Sequence, residues 1–183
     1  MDIESRLRSF KRSDPVLEFV FCLLTPQSKA KVCWNAVLAL KKHNLIYKGS
    51  ASQVVRYLSG VRFKHRKAKY IVEARKHFDY VKNIRRKDPF IAREWLVKHV
   101  KGMGYKEASH FLRNVGFKGL AILDRHILNT LVELGVISEI PSLTRKNYLL
   151  IEQKFKDYAK KNNTTIDYLD LLFWSRKTGY VFK

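Results

Sequence analysis

A Gly-Met-Gly turn at residues 102–104 lies between two stretches of helical periodicity, and it constrains the fold more than any other feature of the sequence. Glycines allow the backbone to reverse direction within a few residues. One helical pattern leads into the turn, a second leads out of it, and a third begins at Asp124. We therefore predict a helical hairpin at about residues 90–115, followed by a helix at about residues 124–134.

Helical periodicity also dominates the rest of the chain, and strand patterns are hard to find. Asp14-Pro15 and Asp88-Pro89 each place a capping residue before a proline at the first helical position. Ser28 and Thr164 are expected to cap two further helices, which end at about residues 43 and 176. The other predicted helices cover residues 50–58, 67–82 and 148–160. The sequence therefore predicts an all-α protein.

The length and composition of the chain favour one compact unit. Its 183 residues suit a single domain or two small, closely packed lobes, and 46% of them are hydrophobic, which is enough for a core. No window approaches the ~18 uninterrupted apolar residues that a membrane span requires. The charged N-terminus lacks the apolar region of a signal peptide. We expect a monomeric, intracellular protein in which residues 1–183 form one unit.

The charge of the chain favours a polyanionic partner. Lys and Arg total 37 against 16 Asp and Glu, so the formal net charge is 37 − 16 = +21. Neutralising phosphates with such a surface releases condensed counterions, which favours binding to nucleic acid. The alternative is the lysine-rich surface of a thermophilic protein, but thermophiles tend to raise Glu together with Lys. Nucleic acid is the favoured partner.

The chain has two cysteines, Cys22 and Cys33. Two thiols cannot hold an iron–sulfur cluster or a four-cysteine zinc site. Both lie among apolar neighbours in predicted helices. We expect them to be buried free thiols.

Lys106 and Asp124 are the candidate catalytic residues. Lys106 falls in the first turn after the glycines, and a lysine acts as a nucleophile only as the neutral amine. The positive end of the helix dipole disfavours its ammonium form. Asp124, eighteen residues later, is at an N-cap position that would fix its carboxylate near developing positive charge. The alternative interpretation is a solvated surface lysine and a simple helix cap.

The glycine turn is also a candidate phosphate-binding element. Gly102 and Gly104 would let a phosphate approach the backbone amides, and the helix that follows offers free N–H groups. The carbonyl groups of Lys98, Val100 and Met103, at the end of the preceding helix, are a candidate site for a monovalent cation bridging to DNA.

The ordered set of motifs resembles the helix–hairpin–helix DNA glycosylase superfamily and, within it, the type 2, archaeal-type 8-oxoguanine DNA glycosylase/AP lyase. The resemblance covers nearly the whole chain and implies a two-lobed helical fold with the active site between the lobes. The segments that carry it are LLTPQSKAKVCW (23–34), VRFKHRKAKYIVEAR (61–75), GMGYKEASHFLRNVG (102–116) with AILDRHIL (121–128), and LDLLFWSRKTGYVFK (169–183).

The resemblance implies a bifunctional reaction on duplex DNA that contains 8-oxoguanine. Lys106 would attack C1′ of the extruded nucleotide and displace the base, and the resulting Schiff base would undergo β-elimination. Asp124 would stabilise the cationic sugar and assist proton transfer. Neither a metal nor an organic cofactor is implied. The family places such an enzyme in the cytoplasm, with the nucleoid, of a prokaryote.

The resemblance also suggests the residues that would contact the base. Phe63 and Trp174 fall where the family has stacking aromatic residues, although Trp174 is equally suited to the core. His110, four residues after Lys106, either lines the pocket or packs. The C-terminal Lys183 would contact the base, and Gln27 would fill the gap left in the duplex unless it is only a solvated turn residue.

Two alternatives to this function remain at the level of sequence. One is a glycosylase/lyase that acts on another oxidised base. The other is a non-catalytic module that binds DNA through the hairpin.

Overall fold

A computed structural model describes residues 2–182, with the exception of the side chain of Thr178. The described part of the chain contains eleven α-helices and no strand, which confirms the all-α prediction. The helices are α1 (Ile3–Ser9), α2 (Pro15–Leu24), α3 (Ala30–Lys42), α4 (Ala51–Val55), α5 (Lys64–Ala74), α6 (Phe78–Lys82), α7 (Pro89–His99), α8 (Tyr105–Asn114), α9 (Arg125–Glu133), α10 (Arg145–Lys161) and α11 (Ile166–Thr178). Short 3₁₀ turns lie at Phe10–Arg12, Arg75–His77 and Ile84–Arg86.

The hairpin and the two proline caps form as predicted. Asp14 and Asp88 each accept backbone hydrogen bonds in the first turn of a helix whose first residue is proline. Helices α7 and α8 lie on either side of the Gly102–Gly104 turn. Asp124 caps α9. These elements form locally because each cap is within three residues of the amide that it binds.

Three predicted helix features are wrong. Ser28 does not cap α3, because its hydroxyl accepts hydrogen bonds from the side chain of Lys67 and from the amide of Arg62. The cap of α11 is Thr165, rather than Thr164. The single helix predicted at 67–82 begins earlier, at Lys64, and is divided by the 3₁₀ turn at Arg75–His77.

The side chains pack into two principal hydrophobic clusters. The larger surrounds α2, in which every residue after Pro15 is buried. All of these residues except Glu18 are apolar, and a helix of this kind belongs at the centre of a core. The second cluster joins α9, α10 and α11. Cys22 and Cys33 are both buried, and neither forms a disulfide bond, as predicted. No helix within residues 2–182 has both the length and the apolar character to cross a membrane.

A buried ion pair connects the hairpin to the second cluster. The guanidinium of Arg93 on α7 donates to both carboxylate oxygens of Glu152 on α10, at 2.6 and 3.0 Å. The two side chains are only 2% and 4% exposed. Glu152 also accepts from the amide of Ala121, at 2.8 Å. Because this amide lies just before Asp124, the pair links the hairpin to the segment that carries the candidate catalytic carboxylate.

Two carboxylates of α11 hold this helix against α8 and the segment that follows α8. Asp170 accepts from the guanidinium of Arg113 on α8 at 2.7 Å, and Asp167 accepts from the amide of Gly119 at 3.0 Å. Burial raises the pKa of Asp170 to about 7; Arg113 opposes this rise, while nearby Asp124 and Asp167 add to it.

We expect Arg93→Met to destabilise the fold by about 3–5 kcal/mol, because it leaves the buried charge of Glu152 with only the longer, 3.5 Å contact to the ammonium of Lys156. Urea denaturation measures the change in the free energy of unfolding. The control is Arg145→Met, which removes a solvent-exposed ion pair with Glu94 and should leave the urea midpoint almost unchanged. Equal effects of the two substitutions would contradict the importance of the buried pair.

We also expect Asp170 to make stability depend on pH. Its folded pKa of about 7 lies above the ordinary value of 3.8, so its stabilising contribution is complete below pH 3.8 and is lost as the pH rises to about 7. The free energy of unfolding of the native protein, relative to that of Asp170→Asn, should therefore fall across this range and level off above it. A difference that rises with pH, or does not change, would refute this assignment.

Candidate active site

A cleft of about 860 Å³ lies where the two hydrophobic clusters meet. Five parts of the chain form its walls: the turn between α2 and α3 with the start of α3, the loop before α5, the face of α8 that carries Lys106 and His110, the start of α9, and α11 with the tail after it. The predicted site residues on its surface are Gln27, Lys106, His110, Asp124 and Trp174. Sequence reasoning therefore placed five side chains, from four separate segments, on one concave surface.

Lys106 is the second residue of α8 and reaches the cleft from the hairpin. Its Nζ is 2.8 Å from Oε1 of Glu107, and its side chain is 29% exposed. The other oxygen of Glu107 accepts from the amide of Gly104 at 3.2 Å. Glu107 was not singled out from the sequence, although its position three residues after Gly104 has the spacing of a capping box. The amine thus has a carboxylate partner held by the hairpin turn.

Asp124 faces the same cleft from the N-terminus of α9. Its Oδ1 accepts from the amide of Ile127 at 2.8 Å, which fixes the carboxylate. The preceding segment is held by α10: Tyr148 donates its hydroxyl to the carbonyl of Ala121 at 2.6 Å and accepts from the amide of Leu123 at 3.3 Å. Both the local cap and the tertiary contacts therefore position Asp124.

His110, Arg113 and Asp170 also line the cleft. The ring of His110 lies edge-on to Phe21, with the centroids 5.6 Å apart, so this residue both packs against the core and reaches the cleft surface. No sequence signal distinguished Arg113 or Asp170, because their pairing depends on the packing of α8 against α11.

The turn between α2 and α3 carries Gln27, whose backbone is left-handed with φ 55°. Lys67, on α5, supports this turn from beneath. Its ammonium donates to the carbonyls of Leu24 and Pro26 at 2.7 and 2.6 Å, and to the hydroxyl of Ser28 at 3.1 Å. Burial lowers the pKa of Lys67. Sequence reasoning missed this lysine, which is one of many basic residues in its segment.

Phe63 lies outside the lining of the cleft, although its neighbour Arg62 is part of it. The Phe63 side chain is 50% exposed, and its backbone is left-handed with φ 58°. The guanidinium carbons of Arg62 and Arg66 are 5.2 and 6.0 Å from the centre of its ring. The structure therefore does not place Phe63 opposite Trp174 inside the cleft.

Trp174 is only partly buried and faces the cleft from α11, so it is not a simple core residue. Its ring lies edge-on to Tyr180, at 5.2 Å, and the Nζ of Lys31 is 3.7 Å from the centre of the Tyr180 ring. The chain after α11 therefore forms one wall of the cleft. The remaining candidate, Lys183, lies outside the described residues.

The glycine turn forms a separate depression of about 490 Å³. Gly102 has φ 84°, and a side-chain carbon there would be 2.4 Å from the ring of Tyr70, so only glycine fits. The predicted phosphate-binding and cation-binding residues line this depression together: Lys98, Val100, Gly102, Met103 and Gly104. Within residues 2–182, no three His, Cys, Asp or Glu side chains are arranged to hold a metal ion.

Comparisons with known proteins agree with the fold and the cleft. A sequence model of the family described as 8-oxoguanine DNA glycosylase matches residues 3–164. The chain is 50% identical to the 8-oxoguanine DNA glycosylase/AP lyase of Fusobacterium nucleatum, over 98% of this chain and 90% of the relative. It is 42% identical to the protein of the same name from Korarchaeum cryptofilum, over 99% and 90%.

Two solved structures show the same fold. The crystal structure of the 8-oxoguanine DNA glycosylase of Thermotoga maritima matches with a TM-score of 0.91 at 35% identity. That of the Methanocaldococcus jannaschii 8-oxoguanine glycosylase/lyase, in complex with 15mer DNA containing 8-oxoguanine, matches with a TM-score of 0.90 at 38% identity. In both cases the match covers 99% of this chain and 91% of the other. The hairpin, the cleft and these similarities together lead to one conclusion: the chain belongs to the 8-oxoguanine DNA glycosylase family.

Proposed function

We propose that this protein is a bifunctional repair enzyme that removes 8-oxoguanine from duplex DNA and then cleaves the strand at the resulting site. The observation that carries the proposal is the convergence of Lys106 and Asp124 on one cleft. The names of the bacterial and archaeal relatives support the same activity. The net charge of +21 supports the DNA partner.

In the proposed reaction, the neutral amine of Lys106 attacks C1′ of the extruded nucleotide, and the C1′–N bond to the base breaks. The electron pair of that bond leaves with the base, which takes up a proton. The carboxylate of Glu107, 2.8 Å from the amine, is placed to accept a proton from it. The C1′–O4′ bond then breaks as the nitrogen lone pair forms the C=N bond of a protonated Schiff base, and O4′ takes up a proton. Removal of a C2′ proton expels the 3′ phosphate and cuts the strand. Asp124 stabilises the cationic sugar as the base leaves.

The base would be held by the walls of the cleft. Trp174 offers a flat face, and His110 a polar edge. We retain Phe63 as a stacking residue at the rim, where its half-exposed ring is available to an extruded base or its neighbour. Gln27, on the turn beside the cleft, would occupy the space in the duplex that the base leaves. Lys183 stays a candidate base contact.

The remaining interactions with DNA are assigned to the hairpin. Gly102 and Gly104 would approach a backbone phosphate, and the depression formed by Lys98, Val100 and Met103 would hold a monovalent cation. We infer that the two hydrophobic clusters are the cores of two lobes of one monomeric unit. The prokaryotic relatives support a cytoplasmic location with the nucleoid.

Lys106→Gln should abolish the covalent link that borohydride forms between the protein and a duplex containing 8-oxoguanine, because the nucleophile is lost. Binding to the same duplex should persist, since the substitution removes only one of 37 basic residues. Gel electrophoresis of the trapped complex and a direct binding measurement test the two expectations.

The trapping experiment also separates the alternatives. A panel of duplexes, each with a single lesion, is compared with undamaged DNA. If the protein is trapped only on a duplex with a different oxidised base, that base is the substrate instead of 8-oxoguanine. If the protein binds the duplexes but is trapped on none of them, it is a non-catalytic DNA-binding module. Trapping by Lys106→Gln would show that another amine is the nucleophile.

Asp124→Asn should reduce single-turnover base release by about 10²–10⁴-fold, because the amide cannot stabilise the cationic sugar or transfer the proton. The thermal midpoint should stay close to that of the native protein, because asparagine is as good an N-cap as aspartate and keeps the bond to Ile127. A large drop in the midpoint would instead show a structural role. Unchanged base release would remove Asp124 from the mechanism.

A further inference from the structure

Two loops beside the cleft contain residues with an unusual backbone. Among the described residues, four that are not glycine have positive φ: Gln27, Asn44, Phe63 and Asn163. Asparagine adopts this left-handed conformation readily, whereas glutamine and phenylalanine rarely do. Such conformations persist only where surrounding contacts impose them. Gln27 and Phe63 therefore require a source of restraint.

The contacts of Lys67 provide that restraint on the Gln27 side. Its ammonium donates to the carbonyl of Pro26 and to the hydroxyl of Ser28, the two residues that flank Gln27. It also donates to the carbonyl of Leu24, at the end of α2, which accepts from the thiol of Cys33 as well. The ammonium of Lys67 thus holds the α2–α3 turn on both sides of Gln27.

The same group of contacts reaches Phe63. The hydroxyl of Ser28 accepts from the amide of Arg62 at 2.9 Å, and the amide of Lys67 donates to the carbonyl of Phe63 at 3.0 Å. The first of these bonds joins the two loops at the Ser28 hydroxyl, which the ammonium of Lys67 also binds. The second is the opening backbone bond of α5 and does not involve the lysine side chain. A displacement of this lysine would loosen the two left-handed residues together.

The burial of Lys67 argues against a purely space-filling role. The residue is only 4% exposed, and its three hydrogen-bond acceptors, two carbonyls and a hydroxyl, are uncharged. Burial lowers the pKa of its ammonium and outweighs the charges of Lys106 and Glu107, which act on it in opposite directions. Burying a cation in this way is costly, and an apolar side chain would fill the space more cheaply. The charged donor is retained for the directional bonds that it makes.

We propose that Lys67 is a positioning residue that holds Gln27 and Phe63 at the rim of the cleft in the orientation required to extrude and receive a damaged base. The inference rests on the proposed function. Lys67 itself touches neither DNA nor the reacting atoms in this proposal. Its effect should appear in the step that removes a stacked base from the duplex, rather than in strand cleavage at a site that has already lost its base.

The test compares Lys67→Met with Lys69→Met, which makes the same change in charge two residues away at an exposed position on the same helix. Single-turnover base release is measured on a duplex with 8-oxoguanine opposite cytosine, and strand cleavage on a matched duplex with an abasic site. Lys67→Met should slow base release by about 10- to 100-fold, the range expected when a positioning contact is lost. The rate at which Lys67→Met cleaves the abasic duplex should stay near that of the native protein. Lys69→Met should keep near-native rates of both base release and abasic-site cleavage.

A second comparison asks whether Lys67 acts through the two rim residues. In a Gln27→Ala, Phe63→Ala background, Lys67→Met should cause little further loss of base release. An equal loss in both backgrounds would overturn the proposal, as would parallel losses on the damaged and the abasic duplex. Absence of base release by the native protein would instead refute the proposed function.

Ser28→Ala keeps the test decisive if Lys67→Met does not fold. This substitution removes the hydroxyl that joins the two loops and leaves the carbonyl contacts of Lys67 in place. It should slow base release selectively, whereas Ser52→Ala, at an exposed hydroxyl near the start of α4, should not. No difference between these two serine variants would overturn the proposal.

Discussion

The buried ion pair between Arg93 and Glu152 is the interaction on which the geometry of the cleft depends. It joins the first helix of the hairpin to α10, and the same carboxylate binds the amide of Ala121. The hairpin carries Lys106, and the segment that begins at Ala121 leads to Asp124. The carboxylate of Glu152 thus fixes the position of the hairpin, which carries Lys106, relative to the segment that carries Asp124. Because breaking a buried ion pair is costly, the relative position of these two segments is held firmly.

Other buried charges lie around the same cleft. Arg113 pairs with Asp170 where α8 meets α11, and the ammonium of Lys67 lies beneath the turn that carries Gln27. A fold optimised for stability alone would place apolar side chains at these positions. Charged groups there supply directional bonds that an apolar core cannot, and such bonds fix loops and helix ends to within the tolerance that catalysis requires. Their concentration at the cleft is consistent with a surface shaped for positioning.

The left-handed backbone at Gln27 and Phe63 shows the same relation between strain and function. Each residue adopts a conformation that its own chemistry disfavours, and each is beside a bond to Ser28 or Lys67. The chain belongs to the 8-oxoguanine DNA glycosylase family, and one solved relative is in complex with DNA containing 8-oxoguanine. Under the proposed function, rim residues that are already rigid would lose less conformational freedom on contacting an extruded nucleotide than mobile residues would.

The sequence by itself determined most of the helices, the glycine hairpin, and the places of Lys106 and Asp124 at helix starts, because caps and tight turns depend on residues three or four positions apart. It did not reveal the partners that complete the site. Arg113 and Asp170 are 57 residues apart, Arg93 and Glu152 are 59 apart, and Lys67 reaches back about 40 residues to the α2–α3 turn. It also did not show that Phe63 lies at the rim rather than in the cleft. Only the tertiary structure decided these pairings, because a buried charge pairs with a group on the helix that packs against it. The periodicity of one helix does not indicate which helix that is.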